Sequence, residues 1–221
     1  MNLVTLATDS PKWRAHAARF VRTAQECGHH TTVIVHDQKF ENQYLHFDRA
    51  RMALPDIVGG SCVYYDPDVD IVAPIDDITD AMQGSAVVGW CRSPENNLPG
   101  VVNVCTILNV RPPQVHANIG CLVMKRSIDH EWAIAEAECR KVPLTGKMTG
   151  SVIFNVMLSM FPGLGVEIPY EYDVLWHDIP SIPTARAIHF CNDWGKIVRP
   201  YYVYSDEADG VAVELDPFAL L

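Results

Sequence analysis

Basic residues are scarce in this 221-residue chain: 17 Lys and Arg stand against 27 Asp and Glu, a formal net charge of −10. A general nucleic-acid or anionic-membrane binder needs a basic face, so this balance excludes both as broad partners and leaves room only for a local phosphate pocket. The chain also lacks any C-x-x-C pair. Its seven cysteines (Cys27, Cys62, Cys91, Cys105, Cys121, Cys139 and Cys191) are scattered and odd in number, which argues against zinc and for reduced, buried thiols in a cytoplasmic protein. No segment approaches the roughly 18 uninterrupted apolar residues of a membrane span. The opening run Leu3 to Asp9 has no basic region before it and is too short for a signal sequence, so it reads as the first strand. Repeats, low-complexity tracts and linkers are absent too, and residues 1–221 are expected to form one α/β domain.

The most informative stretch runs from Val63 through Tyr64-Tyr65-Asp66-Pro67-Asp68-Val69-Asp70 to Val72. An apolar run feeds three acids at alternating positions and then turns apolar again, a strand entering a turn. That places clustered carboxylates at the carboxyl end of a buried sheet, where open α/β folds bind their ligands. Carboxylates so close repel one another and stay ionised together only with a cation nearby. An oxygen-rich ligand set suits Mg²⁺ or Mn²⁺ bound with substrate phosphates. The plain alternative is a solvated acidic turn, since Asp and Pro are ordinary turn residues.

Around it, residues 3–37 read as a βαβ unit. Ser10-Pro11 is an N-cap followed by proline in the first turn, Trp13, Ala17, Phe20, Val21 and Ala24 recur at helical spacing, and Cys27-Gly28 closes the helix. Thr31 to His36 reads as a buried second strand, parallel to the first. Residues 44–57 are expected to form a helix carrying Arg49 and Arg51 and stopped near Pro55, and residues after Pro74 a short helix. Residues 91–116, rich in Pro, Asn and Gly, read as a long loop. Ala117 to Met124 reads as a strand, 127–141 and 149–160 as helices, and the stretches near 166–169 and 185–190 as late strands.

With the elements so placed, the order of motifs resembles the GT-A fold, and specifically the family 8 retaining glycosyltransferases, over roughly residues 2 to 202. Val63-Tyr64-Tyr65-Asp66-Pro67-Asp68-Val69 matches that family's apolar-Tyr-apolar-Asp-x-Asp-apolar pattern. The resemblance implies a mixed, mostly parallel central sheet and a metal-dependent transfer of sugar from a nucleoside-diphosphate donor, a UDP-hexose, with Mn²⁺ (or Mg²⁺) and retention. It makes Asp66 and Asp68 metal ligands, with Asp66 also near the ribose, and it makes His189, in His189-Phe190-Cys191, the third. Gly195 and Lys196 would meet the diphosphate, Thr8 and Asp9 the base and ribose, and Arg51 the donor. Asn118-Ile119-Gly120 resembles an Asn-small-Gly motif beside the donor sugar and acceptor. The family's Asp-Gln pair before a helical Asn is replaced here by Gly150-Ser151 before Asn155, which leaves Ser151 where a carboxamide is expected; the family's Pro-Trp after the lysine is replaced by Ile197-Val198.

The residues alone keep other readings open. Tyr170 to Asp178 interleaves aromatics with acids, as a sugar-binding rim does; in an inverting enzyme Glu171, Asp173 or Asp178 would be the general base. A haloacid-dehalogenase-type phosphatase also uses Asp-x-Asp, but near its N-terminus and without an acid such as Asp70 four residues on. A nucleotidyltransferase would carry a glycine-rich basic loop after the first strand, and Ala7 to Pro11 is neither. A catalytically silent sugar-nucleotide binder is the third alternative. The acceptor is not legible.

Overall fold

The computed structural model describes residues 2–8, 10–36, 43–82, 84–93, 98–142, 149–176, 178, 182–190, 204–205 and 210–211. In chain order the elements are β1 (Asn2–Thr8), α1 (Pro11–Glu26), β2 (Thr31–His36), α2 (Gln43–Met52), α3 (Leu54–Val58), β3 (Cys62–Tyr65), β4 (Val69–Ile71), β5 (Val88–Arg92), α4 (Leu98–Ile107), β6 (Ala117–Met124), α5 (Asp129–Cys139), α6 (Gly150–Met160), β7 (Gly165–Glu167), a 3₁₀ turn (Tyr170–Tyr172), β8 (Val174–Leu175), β9 (Ala187–His189), β10 (Tyr204–Ser205) and β11 (Gly210–Val211). Six strands form one mixed sheet in the order β2-β1-β3-β6-β5-β7, and three more form a small sheet in the order β4-β9-β8. No helix of the described residues is long and apolar enough to cross a membrane.

The chain divides into two compact units, the first from residues 1–39, 64–76 and 170–221, the second from 40–63 and 77–169. In the first, β1 and β2 pair in parallel, Leu3 opposite Thr31 through Thr8 opposite His36. The α1 crossover is delimited as its sequence predicts. Ser10 Oγ accepts from Trp13 N and proline stands in the first turn, while Gly28 takes the left-handed φ of +86° that ends the helix. Ala17, Phe20, Val21 and Ala24 are buried. The second strand departs from expectation: β2 is the edge of the sheet, and Val35 is 48% exposed. Its β-branched residues fit the pleat without needing cover on both faces.

In the second unit β5 runs antiparallel to β6 and parallel to β7. Helix α6 packs on α4, α5 and β6, burying Ile153, Phe154, Val156 and Met157. Three sequence expectations fail here. The stretch read as one loop over 91–116 contains α4: Pro99 falls in its first turn, where a missing N–H breaks no intrahelical bond, and Val101, Val104 and Cys105 recur at helical spacing and are buried. The helix read over 44–57 is two, with Pro55 in the first turn of α3. Residues 76–81 form turns, not a helix.

Candidate metal centre

The acidic turn is built by two strands. β3 buries every side chain from Cys62 to Tyr65; Asp66-Pro67-Asp68 then turns the chain into β4. That strand pairs antiparallel with β9, Val69 opposite His189, and Phe190 N donates to Asp68 O at 3.0 Å. Backbone register therefore carries His189 to the acids. Its Nε2 lies 3.5 Å from Asp68 Oδ1 and 3.8 Å from Asp66 Oδ2. Candidate ligand atoms of Asp66, Asp68 and His189 all lie within 4.8 Å of one another.

Two of the three groups, His189 and Asp66, are held from behind. On the far side of the imidazole, Nδ1 stands 3.2 Å from Asp173 Oδ1, and Asp173 is fully buried just after the 3₁₀ turn. That turn is tied to β3, since Tyr65 Oη donates to Tyr172 O at 2.9 Å. The Tyr64 hydroxyl bonds Asp66 Oδ1. Burial opposes charging of His189, but the neighbouring Asp173 and Asp68 charges outweigh it and raise its pKa well above the usual histidine value. Three carboxylates thus surround one buried imidazole, and even a protonated ring cannot neutralise them all. Oxygen and imidazole donors without a thiolate fit a hard or borderline divalent ion.

The third acid of the run is excluded from this group. Asp70 Oδ2 accepts from Arg19 Nε at 3.0 Å and Nη2 at 2.6 Å, which fastens β4 to α1. The neighbouring Ile71 N donates to Thr23 Oγ1 at 3.2 Å. Burial raises the Asp70 pKa, with Arg19 acting against it.

The remaining sequence candidates fall into three sets. Thr8 ends β1, and its hydroxyl is buried with no hydrogen-bond partner among the described residues. Asp9, Gly195 and Lys196 lie outside the described residues. Arg51, Asn118, Gly120 and Ser151 belong to the second unit, each with a local partner. Arg51 Nη1 donates to Ile119 O at 2.9 Å and its Nη2 stands 3.6 Å from Asp48 Oδ1. Gly120 N donates to Asn118 Oδ1 at 3.0 Å, and Ser151 Oγ is 3.0 Å from His116 Nε2. Burial lowers the His116 pKa, keeping its ring neutral near pH 7. Asn155 is committed to backbone: its Oδ1 accepts from Ala117 N at 2.8 Å, and its Nδ2 donates to Ala117 O at 3.0 Å and Ser151 O at 2.9 Å.

The absence of a side chain at 150 has a physical reason. A Cβ there would stand 1.8 Å from Asp48 Oδ2, so the Asp48 carboxylate fills that space. Sequence reasoning gave no role to Tyr64, His116 or Asp48. Tyr64 and Asp66, two residues apart at the end of a strand, share a face, and that spacing was a usable signal; His116 and Asp48 had none.

No family model and no curated protein sequence matches the chain. Solved structures do. A galactosyltransferase, LgtC, in complex with donor and acceptor sugar analogs superposes with a TM-score of 0.63 at 11% identity, covering 86% of this chain and 87% of that one. Mouse xyloside xylosyltransferase 1 gives 0.56 at 13% identity, over 86% and 98%. A glycosyltransferase involved in glycosylation of the major capsid of PBCV-1 gives 0.57 at 12% identity, over 86% and 93%. The fold is that of the GT-A glycosyltransferases.

Proposed function

We propose that the chain is a metal-dependent glycosyltransferase of the family 8 kind, moving a sugar from a UDP-hexose to an acceptor with retention. The observation that carries this reading is the convergence of Asp66, Asp68 and His189 in a chain whose fold is shared with glycosyltransferases. Those three side chains would hold Mn²⁺ or Mg²⁺. When bound, such an ion acts as a Lewis acid that neutralises charge on a departing diphosphate.

The chain's own residues prepare that site. Asp66 and Asp68 supply the negative charge that attracts a divalent ion. His189 directs Nε2 towards them, and a proton on Nδ1 facing Asp173 leaves the Nε2 lone pair available. Asp173 is fully buried, so we assign it to orienting His189 and not to taking a proton from an acceptor. Lys196 and Gly195 are assigned to the diphosphate, where a fixed cation favours the separating charge. Thr8 and Asp9 are assigned to base and ribose, Arg51 and Gly120 to the donor, and Asn118 and Ser151 to the sugar. The whole chain acts as one domain in this reading, and the buried thiols of Cys62, Cys105, Cys121 and Cys139 support a reducing, cytoplasmic setting.

Thermal shift of the purified chain with UDP, GDP, ADP and CDP, each with and without Mn²⁺, tests the reading. Stabilisation by UDP only with metal is the expected result, followed by UDP release from its sugar conjugates on addition of acceptor. No response to any nucleotide overturns the assignment. Metal-dependent UDP binding without any release from a panel of UDP-sugars identifies the silent binder.

A further inference from the structure

Tyr64 and Tyr65 are adjacent, fully buried and on opposite faces of β3. The Tyr65 hydroxyl serves the fold, donating to the Tyr172 carbonyl at 2.9 Å. The Tyr64 hydroxyl instead bonds the carboxylate of Asp66, and it takes Oδ1. Oδ2 of the same carboxylate faces His189 Nε2, at 3.8 Å. The two oxygens of Asp66 are thus divided between a buried phenol and the ligand cluster.

We propose that Tyr64 holds Asp66 to single-oxygen coordination and so makes the centre select a small six-coordinate divalent ion over Ca²⁺. This rests on the metal reading above and adds the selectivity of that centre to it. The physical reason lies in what each ion asks of a carboxylate. Ca²⁺ takes six to eight oxygens at 2.3–2.6 Å and often gathers them by chelation through both oxygens of one Asp or Glu. Chelation needs the carboxylate to turn both oxygens to the ion. A phenol donating to Oδ1 fixes the carboxylate's rotation and draws charge from that oxygen. Mg²⁺ and Mn²⁺ favour six-coordinate oxygen-rich sites, and one oxygen from Asp66 suffices for that arrangement.

The test uses the full chain and the metals alone. Binding of Mn²⁺ is followed by loss of the electron paramagnetic resonance signal of the free ion, and Ca²⁺ is then titrated against bound Mn²⁺. In Tyr64→Phe, which removes only the hydroxyl, Ca²⁺ should displace Mn²⁺ at a concentration lower by about tenfold, the small end of the usual 10–100-fold outer-shell effect on metal affinity. Tyr65→Phe, which also deletes one buried hydroxyl, should leave that concentration unchanged. Equal displacement in wild type and Tyr64→Phe overturns the role of Tyr64 while leaving the metal centre standing. A wild-type chain that takes up no Mn²⁺ overturns both. If Tyr64→Phe does not fold, 3-fluorotyrosine placed at 64 is a stronger donor of nearly the same size. It should then raise the Ca²⁺ concentration needed, and no change with it overturns the proposal.

Discussion

Both units hold buried polar side chains that are paired, Arg51 beside Asp48 in the second and Asp70 with Arg19 in the first, but the first also holds a cluster of like charges. In the second, these groups end on backbone, an opposite charge or a hydroxyl: Asn155 on both polar atoms of Ala117, Arg51 on Ile119 O and beside Asp48, His116 on Ser151 Oγ. In the first, Asp66, Asp68 and Asp173 crowd one imidazole. Desolvated charges are costly unless paired, and like charges are worse. Those second-unit groups are therefore met within the fold, whereas the first unit's cluster carries an excess of like charge around one imidazole. That asymmetry, more than burial alone, marks the first unit's cluster as the candidate site, since both units contain side chains that are fully enclosed.

The contrast can be broken by substitution. Asp68→Ala should reduce metal-dependent nucleotide affinity by more than the 10–100-fold typical of outer-shell changes, with no loss of metal-free thermal stability because a like charge has been removed. Calorimetric titration in Mn²⁺ measures the first and a melting curve the second; unchanged affinity would place the cluster among ordinary acidic turns. Asn155→Ala should do the reverse. Leaving Ala117 N and O unsatisfied in the interior should cost about 3 kcal/mol in urea unfolding, while metal affinity per folded molecule stays at the wild-type value. A matching loss of affinity would show that the two kinds of burial are not separate.

Acid sharpens the comparison from within the first unit. His16 is 1% exposed, and burial is the main cause pulling its pKa from 6.5 to about 4, against the raising effect of Asp68. The unfolded chain then takes up a proton near pH 6.5 that the folded chain refuses until about pH 4. Stability should fall across that interval, by on the order of 3 kcal/mol, and level off below it. Urea midpoints from pH 7 to 4 should decline less steeply in His16→Leu, and an identical slope in both proteins would contradict the assignment. The smallest effect belongs to the solvent-facing Arg49–Asp129 pair at 2.7 Å, with side chains 52% and 32% exposed. Arg49→Ala should cost less than about 1 kcal/mol, and a larger loss by chemical denaturation would mean that this pair belongs with the buried groups.

What the sequence made legible was local. The strand–cap–helix opening followed from Ser10, Pro11 and Gly28, because caps and glycine turns are set by neighbours in the chain. The acidic turn and His189 were legible as residue types at strand ends, aided by resemblance. The departures are matters of tertiary context. Thr31 to Val35 looks the same on an edge as in an interior, so exposure of β2 depended on strand order. The helix α4 was hidden by its own Pro99 and Gly100, whose turn signal here marks a helix start. Partners such as Asp173 for His189, Arg19 for Asp70 and Asp48 for the space at Gly150 arise from segments remote in sequence, and no spacing rule connects them.

The pairing of β4 with β9 carries a kinetic consequence. Asp68 and His189 come from distant parts of the chain, and joining them closes a long loop. Contacts of that kind are slow to gain and tend to form after local helices and turns. An ion that bridges the two strands would grip a connection made late in folding. Divalent metal should therefore lengthen the lifetime of the native state, through slower unfolding, and leave the rate of folding nearly untouched.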